Sequence, residues 1–227
     1  MIIKIHKNLE FNKDRNIYIY FHICCLNNWR DIVINIFNKI RDSGLYNMVD
    51  EIRCCVLGNF NENDEIFQDN KVRILKTSEN LKEFENFTVD RLLEDSKKES
   101  FYVLYLHSKG VTKPKSLPVQ DWVDYMLYFN VESYLECLEY IKENDTVGVN
   151  LTKHPVVHYS GNFWWSKSDH IKNLNVANKT YNGPEFWITS KKNKKYLSMF
   201  NSRCHCHHYR DRYLRDKYVN KKNLYYL

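Results

Sequence analysis

Short apolar runs alternate with stretches of helical period through the first half of the chain. Ile17 to Cys25 (IYIYFHICC) is rich in β-formers and follows a polar turn, Lys13 to Asn16, which predicts a strand. Asn27-Asn28 offers an N-cap. Trp29 to Ser43 then carries Val33, Ile36, Phe37 and Ile40 on one stripe ahead of Gly44, a helix with a C′ glycine. Ile52 to Leu57 and Val72 to Leu75 predict two further strands. Leu81 to Ser96 predicts a helix with Phe84, Phe87, Leu92 and Leu93 in the core. Phe101 to Leu106 (FYVLYL) is an unbroken apolar run after Ser100, the pattern of a central strand buried on both faces. This alternation predicts an α/β fold, Rossmann-like, with a mostly parallel mixed sheet flanked by helices.

Beyond that axial strand the pattern loosens. Val111 to Gln120 holds two prolines and two lysines and predicts an exposed loop, with Asp121 as a cap for a long helix over Trp122 to Glu143. Thr146 to Leu151 predicts a strand, His158 to Trp165 an extended stretch, and Ser168 to Leu174 a short helix. Gly183-Pro184 predicts a turn before a helix that starts at Glu185. Neither an internal repeat nor a long linker divides residues 1–227, so a single domain is expected.

Composition narrows the class. Of 227 residues, 43% are hydrophobic and 27% charged, which is globular rather than disordered. The net charge of +6 suits phosphate-bearing ligands without requiring them. No apolar run reaches the length of a membrane-spanning helix, and Met1-Ile2-Ile3-Lys4 is too short for a secretory signal. The seven cysteines, two pairs of them adjacent, therefore read as free thiols of a cytoplasmic protein. Neither a GxGxxG nor a P-loop pattern occurs.

Five clusters carry candidate chemistry. His107-Ser108-Lys109-Gly110 follows the axial strand, where ligands of open α/β sheets sit. Lys109 is a point charge for a diphosphate, Gly110 permits close backbone approach, and His107 suits a phosphate, a metal or a hydrogen bond. In Ser160-Gly161-Asn162-Phe163-Trp164-Trp165, Asn162 suits sugar hydroxyls. Trp164 and Trp165 point to opposite faces if extended, so that one serves as core and the other as a platform, unless both are core. Glu185, at a helix start beside large apolar groups, suits a general base whose pKa desolvation would raise, or simply complements the helix dipole. Cys204 to His208 (CHCHH) invites zinc, but no CxxC pair supplies the remaining ligands, and one histidine reaching back to the cleft is the better expectation. The basic, tyrosine-rich tail, with Arg203, Arg210, Arg212, Arg215 and Lys217, fits nucleic acid. It fits better a basic helix whose tyrosines pack on the sheet.

The ordered blocks IYIYFHICCLNNW, SGLY, VLGN, YLHSKG, VGVN, HYSGNFWWSKSDHI and PEFWI resemble a group of small GT-A type glycosyltransferases of chloroviruses and other giant viruses, together with related bacterial surface-polysaccharide proteins. The resemblance runs from about Ile17 to His208 and is most specific at HSKG and SGNFWW. It implies a nucleotide-binding half (1–110), an acceptor and catalytic half (111–208) and a basic tail (209–227). It also implies transfer of a sugar from a UDP-, GDP- or dTDP-sugar donor to a glycan or glycoprotein acceptor. Ile23, Cys24 and Cys25 would then edge the nucleobase and ribose, His107 to Gly110 the diphosphate, and the Gly161, Asn162, Trp164 and Trp165 block the sugars. Glu185 would be the base of an inverting displacement. The Asp-x-Asp pair that chelates Mn²⁺ or Mg²⁺ in many such enzymes is absent at the HSKG block. Either Lys109 replaces the metal's charge, or His107 with one of His205, His207 and His208 ligates an ion. A nucleic-acid-binding module and an inactive glycan-binding domain are the alternatives.

Overall fold

The computed structural model describes residues 11–227, apart from the side chains of His205 and Cys206. Met1 to Lys4, on which the reading of no secretory signal rests, lie outside the described residues. In chain order the first half contains β1 (Asn16–Cys24), α1 (Trp29–Asp42), α2 (Leu45–Met48), β2 (Glu51–Leu57), β3 (Val72–Ser78), α3 (Asn86–Ser96) and β4 (Phe101–His107). The second half contains α4 (Leu117–Leu127), α5 (Tyr134–Glu143), β5 (Thr146–Gly148), β6 (Leu151–Thr152), β7 (His158–Tyr159), β8 (Trp164–Lys167), α6 (Ser168–Ile171), α7 (Gly183–Trp187), β9 (Tyr196–Ser198) and β10 (Tyr225–Tyr226).

Eight of these strands form one sheet in the order β10-β9-β5-β8-β4-β1-β2-β3, and β6 and β7 pair separately. β1 to β4 run parallel, as do β5 and β9, whereas β8 lies antiparallel between β4 and β5. The expected mixed, largely parallel α/β sheet in a single domain is therefore observed. Because side chains alternate across a strand, Ile17, Ile19, Phe21 and Ile23 of β1 enter the core under α1, α4 and α5. Tyr18 and Tyr20 enter the opposite core with residues of α3, α6 and α7. β4 divides in the same way, which is why its apolar run has no polar face.

The long helix expected over Trp122 to Glu143 is instead three pieces. α4 begins at Leu117 with Pro118 in its first turn, so Asp121 lies inside the helix and caps nothing. A π-helical turn, Tyr128–Glu132, separates α4 from α5. Its cause is Asn130, whose side-chain amide takes the Met126 carbonyl at 2.9 Å while its own carbonyl accepts the Trp165 indole N–H at 2.8 Å. The helix expected over Leu81 to Ser96 also breaks, at Phe84 with a positive φ of 50°. The His158 to Trp165 stretch splits into β7 and β8, because Gly161 and Asn162 both take left-handed backbone between them.

The tail forms no long helix. It runs through two 3₁₀ turns, and Tyr213 and Tyr218 pack edge-on to Tyr125 of α4 rather than on the sheet. Arg212 grips Asp121 at 2.5 and 3.0 Å, and Arg215 grips Glu132. These arginines are spent on carboxylates of the same chain, which weakens their claim as a nucleic-acid surface.

All six cysteines whose side chains are described are free. No helix among the described residues is long and apolar enough to cross a membrane.

Arg53, in the middle of β2, is the principal buried charge of the sheet. Its guanidinium lies 3.6 Å from the centre of the Tyr18 ring and donates to Glu51, Glu99 and the Tyr20 hydroxyl. Replacing it with Met keeps the volume but removes its hydrogen bonds to Glu51, Glu99 and Tyr20, whose hydroxyl keeps its bond to Asp95. Arg53→Met is expected to lower stability by about 2 kcal/mol, read from the urea unfolding midpoint.

Candidate functional site

The order β3-β2-β1-β4 places a topological switch between β1 and β4, and the carboxyl ends of these two strands open into a cleft. Ser108 fixes their relative height. Its N–H donates to the His22 carbonyl at 2.9 Å, and its hydroxyl oxygen accepts the Cys24 N–H at 2.8 Å. The cleft encloses about 270 Å³. Its end toward β2 is apolar, with Leu26, Leu57, Leu81 and Phe84. Tyr181 stands edge-on to Phe84 with ring centres 5.2 Å apart. The end beyond β4 is charged, with Glu85, Lys109, Lys113 and Glu185.

His107 and His22 lie side by side in register at the ends of β4 and β1. His107 donates its Nε2–H to the Gly161 carbonyl at 3.0 Å, and Nδ1 of His22 meets the Thr88 hydroxyl at 2.7 Å. Burial pushes both imidazoles toward the neutral form, His107 to about 3 and His22 to about 4. Neighbouring Lys109 lowers His107 further. His107 is thus a neutral hydrogen-bond donor to the Gly161 turn, with its Nδ1 3.6 Å from Glu85 Oε1.

Of the two lysines that line the cleft, Lys109 is the one just beyond the end of β4. Its ammonium sits 4.0 Å from the centre of the Trp122 ring, and no carboxylate among the described residues forms an ion pair with it. Burial lowers its pKa, while Glu185 and Glu85 pull it back up. An ammonium stacked on an indole and lacking a close counter-ion attracts an anion.

The Gly161-Asn162 turn gathers the remaining groups. Gly161 N–H donates to Glu185 Oε1 at 2.9 Å, and the Asn162 side-chain amide donates to Glu85 Oε2 at 2.7 Å. Glu85 Oε2 also accepts the Tyr105 hydroxyl at 2.8 Å. Gly161 has φ +96°, and a Cβ there would meet Met126 Sδ at 2.4 Å, so only glycine fits. Asn162 lines the cleft but is largely buried, its oxygen accepting the Trp164 indole N–H and its amide orienting Glu85.

Several expectations need correction. Trp164 and Trp165 do point to opposite cores, but both are fully buried and neither is a platform. Trp164 stacks on Tyr105 with ring centres 4.9 Å apart. Ile23 is buried under α1 and Cys25 packs against Gly58, so of the Ile23 to Cys25 group Cys24 alone lines the cleft. His107, His207 and His208 do not converge. His207 is exposed near Asp211, whereas His208 is buried between Trp122 and Tyr125 and meets the Ser202 hydroxyl at 2.7 Å. Among the described residues, which leave out the side chain of the candidate ligand His205, no three His, Cys, Asp or Glu side chains are placed to hold a metal ion by themselves. From the histidine cluster it is the next residue, Tyr209, that reaches back to line the cleft.

Sequence pattern does not mark Glu85, His22 or Tyr181 as cleft residues, and it places Tyr209 only in the basic, tyrosine-rich tail. Glu85 sits in a polar stretch, and the partners that give it meaning, Tyr105 and Asn162, are 20 and 77 residues away.

A second cavity of about 780 Å³ adjoins the first and shares Asn182, Glu185 and Tyr209 with it. Glu185 therefore stands on the wall between two chambers. Fold and site together define an α/β domain with a polar ligand cleft at the switch point of its sheet. The chain belongs to a family described as a domain of unknown function (DUF8361), which matches residues 32–219 and so takes in the β4 end, the Gly161-Asn162 turn and Glu185. No curated protein matches the sequence.

The neutral histidines give a pH signature. His22 and His107 protonate near 6.5 once unfolded but stay neutral in the fold down to about 4 and about 3. Below 6.5 the unfolded chain binds more protons, so stability present above that pH is lost as pH falls. The urea midpoint is expected to drop between pH 6.5 and about 4. His22→Gln should flatten the slope by about one proton.

Proposed function

We propose that the chain is a glycosyltransferase that moves a sugar from a nucleotide-sugar donor to a hydroxyl of a glycan acceptor. The supporting observation is the place of Glu185, on the wall between a cleft that holds Lys109 and a second chamber. The apolar end of the cleft, with Leu26, Leu57, Phe84 and Tyr181, suits a nucleobase and ribose. Lys109 beyond the end of β4 suits the diphosphate, whose sugar then lies toward Glu185.

The chemistry follows from this order. Glu185 Oε1 is held by the Gly161 N–H, and Oε2 makes no hydrogen bond with the described residues. Oε2 takes the proton of the acceptor hydroxyl as its oxygen attacks the anomeric carbon. The bond from that carbon to the diphosphate oxygen breaks, and the electron pair leaves with the nucleoside diphosphate. Lys109 stabilises the charge that develops on it. Attack from the Glu185 side, opposite the leaving group, inverts the anomeric configuration.

Two substitutions separate binding from turnover. In calorimetry with UDP-, GDP- and dTDP-sugars, Lys109→Met is expected to weaken binding of the preferred donor by about 10- to 100-fold. Glu185→Gln is expected to leave that affinity within about threefold and to lower the transfer rate by about 10²- to 10⁴-fold. Absence of binding by all three nucleotide sugars would rule out the proposal.

A further inference from the structure

The second cavity has a charge pattern of its own. Two of the segments that line it, residues 150–160 and 200–210, contain no Asp or Glu. They present Lys153 and Arg203 to the cavity, both exposed, and neither forms an ion pair with a carboxylate among the described residues. Some cations elsewhere are matched, as Arg212 is to Asp121, Arg215 to Glu132 and Lys222 to Glu136, and others are not, so what sets this pair apart is that both line one cavity. Among the described residues Glu185 is the one carboxylate that lines this chamber. Phe186 and Tyr225 supply aromatic surface beside it. The Trp122 indole N–H, buried on the same wall, has no hydrogen-bond partner among the described residues.

From this we infer that the second cavity binds the acceptor, and that the acceptor glycan carries an anionic group, a carboxylate or a phosphate ester, held by Lys153 and Arg203. The inference rests on the glycosyltransferase reading of Glu185 and specifies its substrate. A neutral sugar would make no use of the two cations, which stand in a cavity also lined by amides, hydroxyls, His154, His158 and aromatic rings. An anion satisfies both, because an Arg guanidinium and a Lys ammonium each make charge-assisted hydrogen bonds to carboxylate or phosphate oxygens. The rings give the sugar an apolar face to rest on. Binding the anion at one end of the chamber turns the acceptor so that a hydroxyl at its other end meets Glu185.

The test uses three methyl glycosides as probes in a nuclear magnetic resonance titration of the whole chain: methyl glucoside, methyl glucuronide and methyl glucoside 6-phosphate. At least one anionic glycoside is expected to bind about tenfold or more tightly than the neutral one. Which of the two binds tighter distinguishes carboxylate from phosphate. The Lys153→Ala, Arg203→Ala double variant should erase the preference while its circular dichroism and its affinity for a nucleoside diphosphate stay unchanged. Equal affinity for all three probes, no binding of either anionic probe, or a preference that survives the double substitution overturns the inference. A chain that prefers the anionic probes through Lys153 and Arg203 but binds no nucleoside diphosphate would retain the anion site and defeat the glycosyltransferase reading.

Discussion

The tight turn at Gly161 and Asn162 is the constraint on which the site depends. Within two residues its carbonyl fixes the His107 ring, its amide N–H fixes one oxygen of Glu185, and its side-chain amide fixes Glu85. Three polar groups from three distant elements are thus set by one piece of backbone. Both residues need left-handed φ, and Met126 leaves no room for a Cβ at the first. A loop that tight tolerates little motion, which suits a site whose groups must be held within a fraction of an ångström. The turn also ends the antiparallel approach to β8, so the strand that separates β4 from β5 starts where the site is assembled.

The parts of the fold legible in the sequence are those set by short-range pattern. β1 and β4 are long apolar runs, and α1 has both its stripe and its terminal glycine, so periodicity alone finds them. The polar block after β4 is legible for the same reason, since an abrupt change from FYVLYL to HSKG marks a strand end. The π turn is not legible, because it comes from Asn130 competing for a carbonyl while Trp165, 35 residues on, claims another. β9 and β10 were not expected either. They are short, and they exist because the edge of the sheet beside β5 offers unpaired backbone.

The candidate site shows the same division. Lys109, Gly161 and Glu185 were singled out and meet at one cleft, because each belongs to a local motif with a backbone role. The two tryptophans misled for a physical reason. Alternation along a strand correctly sends neighbours to opposite faces, but a sheet covered by helices on both sides has no open face to offer. Asn162 lines the cleft as well, but its amide is engaged with Glu85, a partner 77 residues away that no local pattern reveals. The aromatic surface at the cleft comes instead from Phe84, Tyr181 and Tyr209, whose exposure depends on a break in one helix and on the course of the tail.

The way the last segment closes the second cavity has a consequence for biosynthesis. Arg203, Tyr209, Asn223 and Tyr225 contribute to that chamber, and Tyr225 does so from the edge strand that completes the sheet. On the ribosome, β1 to β4 emerge and can pair long before these residues exist. The nascent chain therefore passes through a stage that has its central strands and the Lys109 corner but lacks one wall of the neighbouring chamber. The second chamber is complete only once the chain through Tyr225 has been made, so a translation product shortened before Arg203 would lack that wall.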